Sequence, residues 1–239
     1  MLKIGHRGAK AYAPENTIAS FRKALELKVD MVEFDVHITK DKHPVVIHDA
    51  NLGRLTKKWE RVNRLSLAQI KQHRIQGESI PTLAEVLEVI DSKVGINAEL
   101  KVKNSAQIVV QTLRDYKVDF SNVMISSKIP SEVRAVERIE PTITTALVFP
   151  TQTLSFWSVL NFGTLLFWPV AKYYISWMVR QTRADYLSIN HRFLSAKKLA
   201  MFKRKGIPTY VWTVNNPRKI KYLKDLGIDG IFSNYPDRL

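Results

Sequence analysis

Apolar positions fall into short runs of four to seven residues, separated by stretches in which they recur every three or four positions. The runs LKIGH (2–6), MVEFDV (31–36), PVVIH (44–48), GINAELK (95–101), NVMISS (122–127), TTALVF (144–149), YLSIN (186–190), PTYVWTV (208–214) and DGIFSN (229–234) predict strands. The stretches 17–28, 82–91, 105–116, 131–139, 195–205 and 216–226 predict helices, with Thr82 and Asn216 placed as N-caps. Strands alternating with helices along the whole chain predict parallel α/β architecture. Nine runs exceed by one the eight of a closed barrel. TKDKH (39–43), between the second and third runs, is too short for a parallel crossover, so PVVIH is expected to return as a hairpin partner of MVEFDV. The expected fold is a TIM-like (β/α)8 barrel with an extra hairpin strand. No repeat or low-complexity linker divides it, which predicts a single domain over 1–239.

One stretch departs from the pattern. No charged residue occurs from Pro141 to Ala171, and LSFWSVLNFGTLLFWPVAKYYISWM (154–178) holds three of the five tryptophans. A spanning helix needs about 20 predominantly apolar residues, and Pro150, Pro169, Asn161 and Gly163 make this a poor one. Two expectations remain for this insertion (150–181). It is an interfacial segment anchored by Trp157, Trp168, Tyr173, Tyr174 and Trp177 with Lys172, Arg180 and Arg183, or an apolar helix covering the barrel.

Composition adds constraints. The 239 residues carry 37 Lys and Arg against 22 acids, a net charge of +15 that favours anionic partners: a phosphorylated substrate, an acidic membrane surface or nucleic acid. The basic residues are dispersed and form no nucleic-acid motif, so a nucleic-acid partner is not expected. The absence of cysteine excludes disulfides and thiolate metal sites. The start MLKIGHRGAK runs straight into a strand with no secretory pattern. It predicts an unexported, cytoplasmic protein, with the insertion suited to peripheral contact on the inner face of the membrane.

The candidate chemistry lies at strand ends. Side chains at i and i+2 share a strand face, so Glu33 and Asp35 point together. Two carboxylates resist burial without a cation between them. Glu99, on another strand, offers a third oxygen, and an all-oxygen set suits Mg2+ or Ca2+ rather than zinc. Lys101 shares the face of Glu99 and could meet a phosphate oxygen. His6 and His48 close two strands and suit a proton-moving pair. Arg7 suits a phosphoryl group gaining charge. Asp49 is placed to orient a histidine or to cap a turn, while His37, His43, His73 and His191 read as solvated or packed.

Taken together, GHRGAKAYAPENT (5–17), VEFDVHITKDKHPVVIHD (32–49), AELK (98–101), YVWTVN (210–215) and LGIDGIFSNYPD (226–237) resemble the successive motifs of the glycerophosphodiester phosphodiesterase family. The resemblance spans nearly the whole chain. It implies a TIM-like barrel that hydrolyses glycerophosphodiesters to sn-glycerol 3-phosphate and an alcohol with a divalent cation. Carried over by match, Glu33, Asp35 and Glu99 bind the metal, His6 and His48 are the acid and base, the resemblance leaning toward His6 as base, Arg7 and Lys101 hold phosphate, and Trp212 lines the substrate site. The short span between His48 and Pro81 implies a small cap and room for a bulkier substrate. With the apolar insertion, that raises a lysophospholipase D acting on lysophospholipids as an alternative. A sphingomyelinase D-like or phosphoinositide phospholipase C-like barrel and a silent membrane- or nucleic-acid-binding barrel are the further rivals.

Overall fold

The computed structural model describes residues 1–149 and 168–239, except the side chains of 168–172. Eleven strands are present among them: β1 Leu2–Gly5, β2 Met31–Ile38, β3 Pro44–Val46, β4 Arg74–Ile75, β5 Glu78–Ser79, β6 Gly95–Leu100, β7 Val123–Ser127, β8 Thr144–Val148, β9 Tyr186–Asn190, β10 Thr209–Trp212 and β11 Gly230–Ser233. Eight of them, β1, β2 and β6 to β11, pair in parallel and close on themselves where β1 joins both β11 and β2. The extra predicted strand, β3, pairs antiparallel with β2 outside the ring, Val36 opposite Val46. The barrel and its extra hairpin strand are therefore as the spacing requires.

All six predicted helices form, at Ile18–Glu26, Leu83–Ile90, Ala106–Asp115, Pro130–Ile139, Ala196–Arg204 and Pro217–Asp225. Thr82 caps one with its side chain accepting from Glu85 N and Glu85 answering back, and Asn216 caps another. The β4–β5 hairpin was not anticipated. Its strands are only two residues long, and its turn rests on Gln76 and Gly77, both at positive φ, the backbone a two-residue hairpin turn demands.

Strand alternation sorts side chains between the barrel interior and the helix layer. Val32, Phe34 and Val36 pack outward with Phe21, Val86 and Val109, while Ile4, Met31, Met124, Ala146, Tyr210 and Phe232 fill the interior. The interior is graded along the strands. Ile4 is followed on its face by His6, Met31 by Glu33 and Asp35, and Met124 by Ser126, so the apolar plug lies beneath a polar mouth at the strands' C-terminal ends.

Residues 49–80 form a small excursion with an apolar core of its own, including Leu52, Val62, Ile70 and Ile75. The helix Trp168–Thr182 lies largely within the stretch expected as an apolar insertion. Its Ile175 and Val179 are buried with Leu147, Phe149 and Leu187, so this part covers the barrel wall, whereas Tyr173 and Trp177 are exposed. The expectations for Trp157 and for the Trp168 and Lys172 side chains lie outside the described residues. Among those residues no helix is long and apolar enough to cross a membrane.

One buried carboxylate ties two mouth segments together. Glu132, on the helix after β7, accepts hydrogen bonds from the backbone N–H groups of Asn104, Ser105 and Ala106 and from the Ser105 hydroxyl, all in the segment after β6. These donors open the helix Ala106–Asp115, where a negative charge is favoured. Glu132→Ala leaves them without partners and is expected to destabilise the fold by about 3 kcal/mol, read as a lower denaturation midpoint with an unchanged slope.

Candidate active site

The turn after β1 is built for close approach. Arg7 and Gly8 both take positive φ, and a Cβ on Gly8 would lie 2.7 Å from the backbone of Ser20, so glycine is required there. The bend turns Arg7 N–H to the Glu33 carboxylate (2.8 Å) and Gly8 N–H to the Glu33 carbonyl (3.2 Å). Ser20 closes it, donating to Arg7 O and accepting from Ala9 N. PENT works alongside: Glu15 pairs with Arg7, Lys10 and Arg54, Asn16 donates to Asp35 Oδ2 (2.8 Å), and Thr17 caps the following helix.

Glu33 and Asp35 are buried, and Glu99 joins them from β6, which pairs in register with β2, Asp35 opposite Glu99. One oxygen from each of the three lies within 4.8 Å of the others. Lys101 bridges two of them, Nζ standing 2.7 Å from Asp35 Oδ1 and 2.6 Å from Glu99 Oε1, and Arg7 Nε lies 3.3 Å from Asp35 Oδ2. The charges are not balanced evenly. Burial works to raise both acids, but Lys101 and Arg7 hold Asp35 well below the carboxylate range. Burial and the neighbouring Asp35 and Glu99 push Glu33 well above it. A carboxylate that stays ionised only with further positive charge beside it, in an all-oxygen set, fits a hard divalent cation.

His6 Nδ1 and Asn234 Oδ1 are 2.6 Å apart, and His48 Nδ1 and Asp49 Oδ1 are 2.7 Å apart. Both partners are oxygen acceptors, so each ring donates from Nδ1 and keeps Nε2 for chemistry. Burial, then Arg7, lowers His6 to about 3. Burial also lowers His48, opposed by Asp35 and by its bond to Asp49. Arg54 reaches from the excursion to both Asp49 and Glu15, locking the second histidine's partner to the PENT segment. His37 is packed, its Nε2 3.1 Å from the His48 carbonyl; His43 is exposed beside Asp41.

One pocket is lined by His6, Arg7, Glu33, His48, Glu99, Lys101 and Trp212, with Asp35 behind them. Every residue singled out for the site therefore converges. The sequence reading missed Glu15, Asn16, Asn234, Arg54 and Lys128. Lys128 was legible in part: Ser126 lies opposite Glu99 in register, so Met124, Ser126 and Lys128 repeat the face of Asn97, Glu99 and Lys101. Glu15 and Asn16 lie in the PENT segment, which carried the resemblance without a role for either residue, while Asn234 and Arg54 act through contacts far apart in sequence.

The glycerophosphoryl diester phosphodiesterase family model matches residues 6–238. The Bacillus subtilis protein YhdW, a candidate glycerophosphodiester phosphodiesterase, is 33% identical over 249 residues, covering 99% of this chain and 96% of its own. A lysophospholipase D of Rattus norvegicus is 29% identical over 269 residues, covering 99% and 84%. An Oleispira antarctica phosphodiesterase, solved with the product sn-glycerol-3-phosphate, superposes with a TM-score of 0.83 at 25% identity, covering 98% of this chain and 93% of that one. The sequence match, the barrel and the converging strand-end residues lead to one assignment: the chain belongs to the glycerophosphoryl diester phosphodiesterase family.

Proposed function

We propose that this protein hydrolyses glycerophosphodiesters to sn-glycerol 3-phosphate and an alcohol by histidine acid/base catalysis with one divalent cation. The observation that carries the reading is the convergence of two imidazoles, three basic side chains and three carboxylates at one pocket. The sn-glycerol-3-phosphate bound by the Oleispira antarctica relative supports the substrate class.

Glu33, Asp35 and Glu99 are the residues that would hold Mg2+ or Ca2+, which when bound withdraws charge from phosphate oxygens. Arg7 and Lys101 fix the phosphate and oppose its growing charge. His6, with Nδ1 engaged by Asn234, presents Nε2 as the base that takes the proton of the attacking hydroxyl, from water or from the substrate's glycerol. His48, backed by a carboxylate, suits the acid: Asp49 favours the imidazolium that gives its Nε2 proton to the leaving alkoxide. Trp212 lines the pocket as an apolar wall.

A second reading has one observation behind it. A groove beside the pocket, lined by Leu147, Phe149, Tyr174, Trp177 and Met178, meets it at Lys128 and would accept an acyl chain. Lysophospholipid hydrolysis and peripheral membrane contact through 154–178 belong to that reading. The organisation we favour is a single catalytic domain over 1–239, with 150–181 as an insertion and a cytoplasmic location.

The deciding experiment follows sn-glycerol 3-phosphate released from glycerophosphoglycerol, with lysophosphatidylglycerol run beside it for lysophosphatidic acid. Activity on the diester that chelator removes and Mg2+ or Ca2+ restores is expected; activity unaffected by chelator sinks the metal assignment. His6→Ala and His48→Ala should each lower kcat by about a thousandfold with unchanged circular dichroism.

Glu33 gives a test without turnover. Because its folded-state pKa is raised, its contribution to stability is lost as pH rises through that value. In chelator at neutral pH, Glu33→Gln is therefore expected to raise Tm by about 2–4 °C and to lose the further rise that divalent cation gives the wild type. Asp49→Asn removes a group that raises His48, so the alkaline limb of kcat/KM is expected to move to lower pH; an unmoved limb assigns that limb to another group.

A further inference from the structure

Three cations line the pocket, and they are not equivalent. Arg7 is engaged by Glu15 and Asp35, and Lys101 by Asp35 and Glu99. Lys128, among the described residues, has no carboxylate within ion-pairing distance. Its ammonium instead stands over the Trp212 ring, 5.5 Å from the centroid. Its nearest charged neighbours are divided: Glu99 and Asp35 attract it, Lys101 and Arg7 repel it. The strand register explains the position, since Lys128 extends the face of Met124 and Ser126 to the rim beside Lys101.

An aromatic face open to a substrate pocket is the natural receptor for a ligand ammonium, because the ring quadrupole presents negative potential there. Here the protein's own ammonium lies on that face. A choline or ethanolamine group entering beside Trp212 would lose the attraction and meet a like charge in a poorly solvated pocket. A neutral polyol meets no such cost, and the Ser126 and Ser188 hydroxyls line the same pocket as uncharged hydrogen-bonding groups.

We infer that Lys128 is a specificity-determining residue that turns the site away from diesters with cationic head groups and toward those whose leaving alcohol is neutral or anionic. The inference rests on the glycerophosphodiester reading and deepens it by naming the head-group class. Charge fixed in the wall, rather than pocket size, sets the preference.

The test compares kcat/KM for glycerophosphoglycerol and glycerophosphoinositol with that for glycerophosphocholine and glycerophosphoethanolamine, following the sn-glycerol 3-phosphate that all four release. The wild type should favour the neutral pair by about tenfold or more. Lys128→Met, which keeps the aliphatic stem, should narrow that ratio toward unity, and Lys128→Arg should retain it. Lys128→Gln gives the same comparison if the Met variant folds poorly by circular dichroism. Equal turnover of all four by the wild type overturns the inference alone. A ratio unchanged in Lys128→Met, or an equal loss on all four, also overturns it and makes Lys128 a phosphate ligand or bystander. Turnover of none of them overturns both the inference and the activity it rests on.

Discussion

The mouth of this barrel is organised by the cost of placing three carboxylates in one dry place. Glu33, Asp35 and Glu99 cannot share that place as anions without positive charge from every side. Arg7 supplies it from the turn after β1 and Lys101 from the end of β6, and each is held by the acid it offsets. The rest of the local structure follows from keeping those two cations in place. Glycine at position 8 permits the bend that turns Arg7 inward, and Glu15 grips the outer side of its guanidinium. Such a balance is incomplete by design. Burial together with Asp35 and Glu99 outweighs Arg7 and Lys101 at Glu33, which leaves it in the state a cation-binding site needs before its ion arrives.

The excursion between His48 and Pro81 is more than a short cap. Its own apolar core makes it firm, and Arg54 projects from it to Asp49 and Glu15 together. His48, at the end of the hairpin, is thereby connected to the segment that holds Arg7. The two candidate proton-moving groups differ in support for the same reason: one ring leans on an amide from the last strand's end, the other on a carboxylate fixed by an arginine.

Much of this was legible in the sequence because period-two alternation and strand-end position are local properties. Glu33 with Asp35 and Glu99 with Lys101 declare a shared face by spacing alone, and TKDKH declares a hairpin by being too short for anything else. What the sequence did not reveal depends on closure. Asn234 meets His6 only because β11 lies beside β1, and Arg54 meets Glu15 only because the excursion folds back. Lys128 stood between these cases. Its face was readable, but its importance needed Trp212, which arrives from the far side of the barrel. The β4–β5 hairpin escaped notice because two-residue strands carry no periodicity.

The carboxylate of Glu132 has a consequence for motion. It rides on the helix that follows Lys128 while gripping the backbone just after Lys101. Neither segment can swing outward without breaking a shared set of charge-assisted bonds, so this side of the rim behaves as one stiff wall. The Arg54 linkage is half-exposed by comparison, so water competes for its bonds more readily than for those of buried Glu132.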